Sequence, residues 1–370
     1  MPTSNQLPIS RLPVRLARQH LRRMLAFVRL TYDLSQRENY QQLVFPQLPE
    51  ICHFNPGHAS LLMGYDFHVS EAGPRLVEVN TNAGGAYLAW HSEQQAGVMS
   101  ERQEKRLQQR LLASFVREWH DFSAGERALR RVFSVDEEPE EQPLYPEMLA
   151  YRDWLREQNL AAEIATPEQL IADRDGVCIN GEPVDLIYNR HCDFFLEQEE
   201  LAGMRQAYLA GTVCLSPNPF AYGLLADKRR MILWSDRDAL AGLALPPQEQ
   251  ELLLELVPKS LLLADCQSDQ VWDDRKQLVF KPVTRFGSRG VLMGKGISRK
   301  RFAELDPATT LVQQVVPPAV EVDAEGQEFK ADLRLYVYRN RLIGVGARLY
   351  QGQVTNLRTE GGGFAPVRLV

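Results

Sequence analysis

The sequence predicts an α/β (α+β) fold. Short apolar runs bounded by turn residues alternate with segments of helical periodicity along most of the chain. At 370 residues the chain is long enough for two or three packed subdomains. With 44% apolar and 24% charged residues it has the composition of an ordinary globular protein. A net charge of -6 gives no polycationic bias, so no nucleic-acid partner is expected. No run of eighteen apolar residues occurs, so no membrane association is expected. The five cysteines are odd in number, widely spaced and free of any CxxC pair, which argues against structural zinc and for free thiols in a cytoplasmic protein.

Residues 11–42 read as helical, with arginines on a solvated face between leucines. The apolar runs 61–69 and 75–79 flank the turn-rich stretch from Ser70 to Pro74 and read as a hairpin. Residues 95–121 read as one long helix, with Leu107, Leu111, Phe115 and Trp119 on its buried side. A new pattern begins near 125. It comprises a strand at 131–135, an acidic loop at 136–143, a helix at 144–160 and strands at 162–164, 176–179 and 184–188. Residues 222–240 read as a helix containing Lys228. Residues 277–294 read as two strands around a glycine-bearing loop, and 310–316 and 332–350 are strand-rich. Boundaries near 125 and 219 follow.

The hairpin carries the first chemistry. Side chains alternate across a strand, so Leu76, Glu78 and Asn80 are expected on one face. Folding about Ala72 sets Ser70 opposite Pro74 and Asp66 opposite Glu78. Two facing carboxylates repel, and a cation between them reverses the sign. Three oxygen donors with open positions suit Mg²⁺. A surface edge facing water is the plainer alternative.

Familiar phosphate loops are absent: Gly294-Lys295-Gly296 lacks the following Ser or Thr, and Gly344-Val345-Gly346 lacks a third glycine. Lys281, however, interrupts the apolar run 278–282 and must find a partner there. The loop Arg285-Phe286-Gly287-Ser288-Arg289-Gly290 follows, with small residues that let backbone N–H groups approach phosphate. Lys330, Asp332 and Arg334 share a strand face, and Arg348 lies across the turn at Arg339-Asn340. Two arginines so placed suit a polyanion. The plain alternative is a surface Asp–Arg pair of little weight.

Together these pieces resemble the ATP-grasp superfamily. Lys228, in Leu225-Ala226-Asp227-Lys228, resembles the first nucleotide lysine. Lys281 with Gly287, Ser288 and Gly290 resembles the second lysine and its mobile lid loop. Gln313 and Gln314, in Leu311 to Val316, resemble the adenine hinge, although many relatives carry glutamate at the position of Gln314. Glu321 matches the place of a ribose-binding acid, and Arg334 that of a phosphate-binding arginine. The run Thr355-Asn356-Leu357-Arg358-Thr359-Glu360 resembles a segment of glutamate-adding ligases. Asp185 to Arg190 resembles the substrate-side domain of permuted members such as glutathionylspermidine synthetase.

In most of that family Gly-x-Asp and Glu-x-Asn strands come last. Here Gly64-Tyr65-Asp66 and Glu78-Val79-Asn80 come near the beginning, so the resemblance implies a circularly permuted ATP-grasp fold. The implied layout is a permuted core segment (1–125), an α/β substrate-side domain (126–219), a lid (220–316) and the remaining core (317–370). The implied activity is an ATP- and Mg²⁺-dependent ligase. It would join a small-molecule or peptide carboxylate to an amine, or a thiol, through an acyl phosphate. Asp66, Glu78 and Asn80 would hold magnesium. Arg334, Arg348 and Asn356 would be catalytic, and Arg190 would bind a substrate carboxylate. A non-catalytic ATP-binding regulatory module on the same fold is the alternative. A phosphotransferase would need a phosphoacceptor histidine, and no histidine stands in a recognisable motif.

Overall fold

The structure is a computed structural model that describes residues 8–173, 176–283 and 290–370. Its spine is the strand Glu328–Tyr338, whose apolar residues alternate with Lys330, Asp332 and Arg334. It pairs antiparallel with Arg341–Tyr350 on one side and with Met63–Ser70 on the other. Gly73–Asn80 extends the sheet beyond Met63–Ser70, Gly363–Ala365 borders the opposite edge, and Ala319–Val322 pairs with the start of the spine. Residues 63–80 and 328–350, distant in the chain, therefore form one sheet.

One face of this sheet is apolar along its length. Tyr65, Phe67, Leu76 and Val79 join Leu333, Leu335 and Val337 in a core covered by the helix Arg18–Ser35. Phe27 of that helix meets Tyr65 and Phe67 edge-on at 6.3 and 6.1 Å, the geometry aromatic quadrupoles favour. The other face is covered toward Tyr336 and Ile343 by the helices Ala86–Gln95 and Glu101–Phe122. Toward Asp66 the same face becomes polar, and the candidate site lies there.

A second sheet is parallel throughout, in the order Cys214–Ser216, Leu186–Asn189, Arg131–Val135, Ala161–Ala165. Its Val132, Tyr188 and Cys214 share a core with Phe115 of the long helix and Tyr336 of the spine. A third, antiparallel sheet is built from Ser260–Leu262, Thr310–Gln314, Leu278–Pro282 and Leu292–Met293. It has a small core of its own around Phe280, Phe302 and Val312.

Several expected elements break where local hydrogen bonding wins. Residues 11–42 contain a strand, Val14–Leu16, before the helices Arg18–Ser35 and Glu38–Val44. The long helix expected at 95–121 is present but begins later, because a capping box between Ser100 and Gln103 starts it at Glu101, and Gln95 ends the preceding helix Ala86–Gln95. The helix expected at 222–240 is a correction. A π turn, Tyr222–Ala226, stops at Asp227, and helix resumes at Arg230–Trp234. The Asp227 carboxylate accepts from the backbone N–H and the guanidinium of Arg229, offering the chain an alternative to the helical ladder. Lys228 therefore sits in the break. None of the five cysteines is in a disulfide, and no described helix is long and apolar enough to cross a membrane.

Glu118, buried in the long helix, fastens four parts of this fold. Its carboxylate accepts from the Ser216 and Tyr338 hydroxyls, the Ala59 backbone N–H and His58 Nδ1, at 2.9 to 3.1 Å. Burial raises its pKa, but those donors override burial and hold it below the usual glutamate range. Glu118→Ala leaves the donors without an acceptor, and a loss of about 3–5 kcal/mol is expected in urea denaturation.

Candidate functional site

The hairpin at 63–80 places Asp66 opposite Glu78 and Gly64 opposite Asn80. The route to that register differs from the expected one. Ser70 faces Gly73 across a two-residue turn rather than Pro74, and a bulge at Val77 restores the pairing. The bulge also corrects the predicted face. Leu76 joins Phe67 in the apolar core, while Glu78 and Asn80 turn to the opposite, polar face. It frees the Val77 carbonyl, which accepts from Lys281 Nζ at 3.0 Å.

Asp66 is the most heavily engaged group. Arg334 grips it bidentately, Nε to Oδ1 at 2.5 Å and Nη2 to Oδ2 at 2.6 Å, and Arg348 adds a bond to Oδ2 at 2.8 Å. Burial pushes the Asp66 pKa up, but the two guanidinium groups override it and hold the carboxyl below its usual range. Asp332 is no surface residue. It is buried, accepts from Arg348 Nε at 2.7 Å and from Thr355 Oγ1 at 2.6 Å, and lies opposite Arg348 in the ladder. Gly64 is needed for this packing, since a Cβ there would stand 2.9 Å from Ala83 Cβ and 3.1 Å from the Arg334 side chain.

Lys281 is buried, donating also to Gln313 Oε1 at 2.8 Å, and Gln313 in turn donates to Ser260 at 3.0 Å. Burial lowers the Lys281 pKa to about 8, with Glu78 opposing the shift and Lys228 adding to it. Burial also lowers the Lys228 pKa, again against Glu78 and then Asp227. The two lysines and Glu78 line one crevice with Leu225, Trp234 and Leu311. Its free space is about 10 Å³, room for about one water, so the crevice is narrow.

The remaining predicted residues are placed differently. Arg190 is buried at the end of its parallel strand, donating to the Asn82 carbonyl at 2.9 Å and the Tyr188 hydroxyl at 3.2 Å. It braces the loop after Asn80. Glu147 anchors the same loop by accepting from the Gly85 and Tyr87 backbone N–H groups at 2.7 and 2.9 Å, and Arg334 Nη1 donates to Gly84 O at 3.0 Å. Gly85 has φ +88° there, and a Cβ would strike the Phe364 ring. Asn356 turns into its own loop, donating to Gln351 O at 2.8 Å and accepting from Arg358 N and Thr359 Oγ1. Gln313 faces Lys281, whereas Gln314 is exposed. Glu321 is half-buried on the edge strand Ala319–Val322. Gly290 is exposed, and Gly287 and Ser288 lie outside the described residues. The Val77 carbonyl, Glu147 and the depth of Asp332 went unread in the sequence. A bulge has no residue signature, and a Pro-Glu pair at a helix start reads as ordinary capping.

The donor set fits magnesium only together with a polyanion. Asn80 Nδ2 lies 3.4 Å from Asp66 Oδ2 and 3.3 Å from Glu78 Oε1, so three oxygen-bearing side chains converge. Both Asp66 oxygens are already engaged by arginine, and no described group of three or more His, Cys, Asp or Glu is arranged to hold a metal. Glu78 and Asn80 are the accessible donors. Adding a bare dication beside Arg334, Arg348 and Lys281 is opposed by charge, and phosphate oxygens remove that opposition.

No family model matches the chain, and no curated protein matches it by sequence. Solved structures do. A glutathione synthetase-like effector from Globodera pallida, in its apo form, superposes with a TM-score of 0.58 at 12% identity, over 98% of this chain and 90% of that one. A candidate γ-glutamylcysteine synthetase from Methylobacillus flagellatus KT superposes with a TM-score of 0.51 at 12% identity, over 89% and 85%. The chain shares their fold. The likeness is one of fold, the mixed α/β arrangement described above.

Proposed function

We propose that this protein is an ATP- and Mg²⁺-dependent carboxylate–amine (or thiol) ligase on a circularly permuted ATP-grasp fold, working through an acyl phosphate. The supporting observation is the convergence of Lys281, Arg334, Arg348, Glu78 and Asn80 on one polar sheet face, beside the loop that Arg190 and Glu147 brace. The fold shared with the two synthetases supports the same class.

A substrate carboxylate oxygen attacks Pγ of ATP, and the bond from Pγ to the bridging oxygen breaks with release of ADP. An amine then attacks the acyl carbon, loses a proton and displaces phosphate. This chemistry needs positioning and charge neutralisation rather than a protein nucleophile. Lys228 and Lys281 hold the nucleotide phosphates, with Gln313 keeping the Lys281 ammonium on station. Arg334 and Arg348 neutralise the transferring group, and Asp66 and Asp332 hold them in place until it arrives. Glu78 and Asn80, with Asp66 beside them, would hold magnesium, which would supply charge neutralisation at the phosphates. Arg190 positions the loop at 82–85, against which the carboxylate substrate docks.

The deciding experiment is phosphate release with Mg·ATP across a panel of paired acids and amines. Release that requires one particular pair establishes a ligase. Nucleotide binding without turnover assigns the regulatory module instead.

The lowered Lys281 pKa gives a pH signature. The protonated amine binds phosphate, and bound phosphate raises its pKa above 8. Affinity for ATP is therefore highest below pH 8 and falls above it, by up to about tenfold per unit. Titration calorimetry at pH 8.5, in buffers of differing ionisation enthalpy, is expected to show proton uptake on binding. No uptake would remove Lys281 from the phosphate site.

A further inference from the structure

We propose that the outward face of the helix Arg18–Ser35, with the strand pair at its start, is a docking surface for an anionic lipid membrane. The helix buries Met24, Phe27, Thr31 and Leu34 against the central sheet. At about 100° per residue, Arg18, Arg22 and Arg29 fall together on the opposite side, and all three are exposed. The strand Val14–Leu16 leads into the helix and pairs in parallel with Val367–Leu369, which sets Arg15 directly beside Arg368. Val14 and Val367 are buried while Arg15 and Arg368 are exposed, so both guanidinium groups join the surface. Arg11, also exposed, precedes the strand. The Arg18 N–H donates to Val370 O at 3.0 Å, which fixes the strand pair against the start of the helix.

These charges oppose folding rather than support it. Arg15 and Arg368 are like charges in register, and Arg18 and Arg22 are like charges one turn apart. No acid stands in the first turn, where the helix dipole disfavours a cation. Among the described residues none of the six arginines is in an ion pair, whereas their neighbour Arg23 bonds Glu255. The anions beside them are Asp33, one turn beyond Arg29, Glu93, whose carboxylate accepts from the Val367 N–H, and the carboxyl end at Val370. Six cations outnumber these three, which leaves a positive surface on a chain of net charge -6.

Apolar exposure at the same place selects the partner. Leu369 and Val370, next in the chain to Arg368, are 40% and 65% exposed, and Leu25 is half-buried within the arginine stripe. Arginines at the depth of lipid phosphates, with aliphatic side chains reaching below them, make an interfacial contact that needs no spanning helix. A nucleic acid or an acidic peptide would satisfy the arginines but would leave the aliphatic pair in water. Glu78 and Asn80 lie on the other face of the sheet, so docking leaves the proposed ligase site uncovered.

The test is cosedimentation of the intact protein with vesicles of phosphatidylcholine alone, or of phosphatidylcholine mixed with phosphatidylserine, at roughly 0.1 M salt. Binding to the mixed vesicles is expected to be about tenfold or more tighter than to the neutral ones and to weaken as salt is raised. Arg15→Gln with Arg18→Gln and Arg22→Gln should weaken it about 10- to 100-fold. Arg102→Gln with Lys105→Gln and Arg106→Gln, three exposed cations of the helix Glu101–Phe122, should not. Leu369→Ser with Val370→Ser, at unchanged charge, should weaken vesicle binding as well. All these positions are exposed, and urea denaturation checks that each variant is folded. No preference for the mixed vesicles, equal loss in the two triple variants, or vesicle binding indifferent to Leu369→Ser with Val370→Ser overturns the proposal. Tighter binding to polyglutamate or to RNA than to the mixed vesicles overturns it too, and assigns the surface to that partner.

Discussion

Replacing Arg334 by methionine is expected to lower stability by about 3 kcal/mol, because it leaves the buried Asp66 with one guanidinium in place of two. The same change removes a donor aimed at the proposed transferring phosphoryl group, and turnover should fall by about 10² to 10³. The two losses are separable. The pair Asp66→Asn with Arg334→Met removes both members of the buried ion pair, and most of the lost stability should return while turnover stays low. Urea denaturation and phosphate release on the three proteins decide the matter. If the double variant is no more stable than the single one, Asp66 is not the counter-ion that makes Arg334 costly to remove.

Lys281→Met should have the opposite signature, little change in the free protein and a large loss with nucleotide. Removing a buried ammonium relieves a desolvation cost, but it strands the Val77 carbonyl and Gln313 Oε1, and the two effects nearly cancel. A charge-assisted bond to phosphate contributes about 1.5–3 kcal/mol, so ATP affinity should fall about 10- to 150-fold. The increase in melting temperature produced by Mg·ATP, a gain of about 2.7 kcal/mol at a hundredfold excess over Kd, should shrink by more than half. Glu78→Ala should act on the metal instead. The ATP-induced shift should become the same with magnesium as with EDTA. A magnesium-dependent shift that survives in Glu78→Ala would dismiss Glu78 as a ligand.

Local pattern carried most of the site's ingredients. Folding the hairpin about Ala72 set Asp66 opposite Glu78, a pairing the structure reaches through the Val77 bulge, while strand alternation put Asp332 and Arg334 on one face and burial required Lys281 to find a partner. These predictions needed only the two-residue period of a strand and the cost of an unpaired buried charge. Where they erred, a local irregularity intervened. The Val77 bulge moved Leu76 to the apolar face, and the Asp227 carboxylate broke the helix around Lys228. Such irregularities depend on which hydrogen bonds are available in three dimensions, which residue type does not report. Asn356 and Gln314 show the same limit, since their positions in the chain left open whether they would face the site or their own loops.

The sequence by itself determined the fold class, the hairpin, the face shared by Asp332 and Arg334 and the chemical kinds of group present, because periodicity and side-chain chemistry are local properties. Only the tertiary structure decided that Asp66 answers Arg334 and Arg348, that Lys281 reaches the Val77 carbonyl, and that Arg15 stands beside Arg368. Those pairings join residues up to hundreds of positions apart. They are set by which sheet edges meet and by the requirement that charges removed from water find partners, conditions that exist only once the chain has packed.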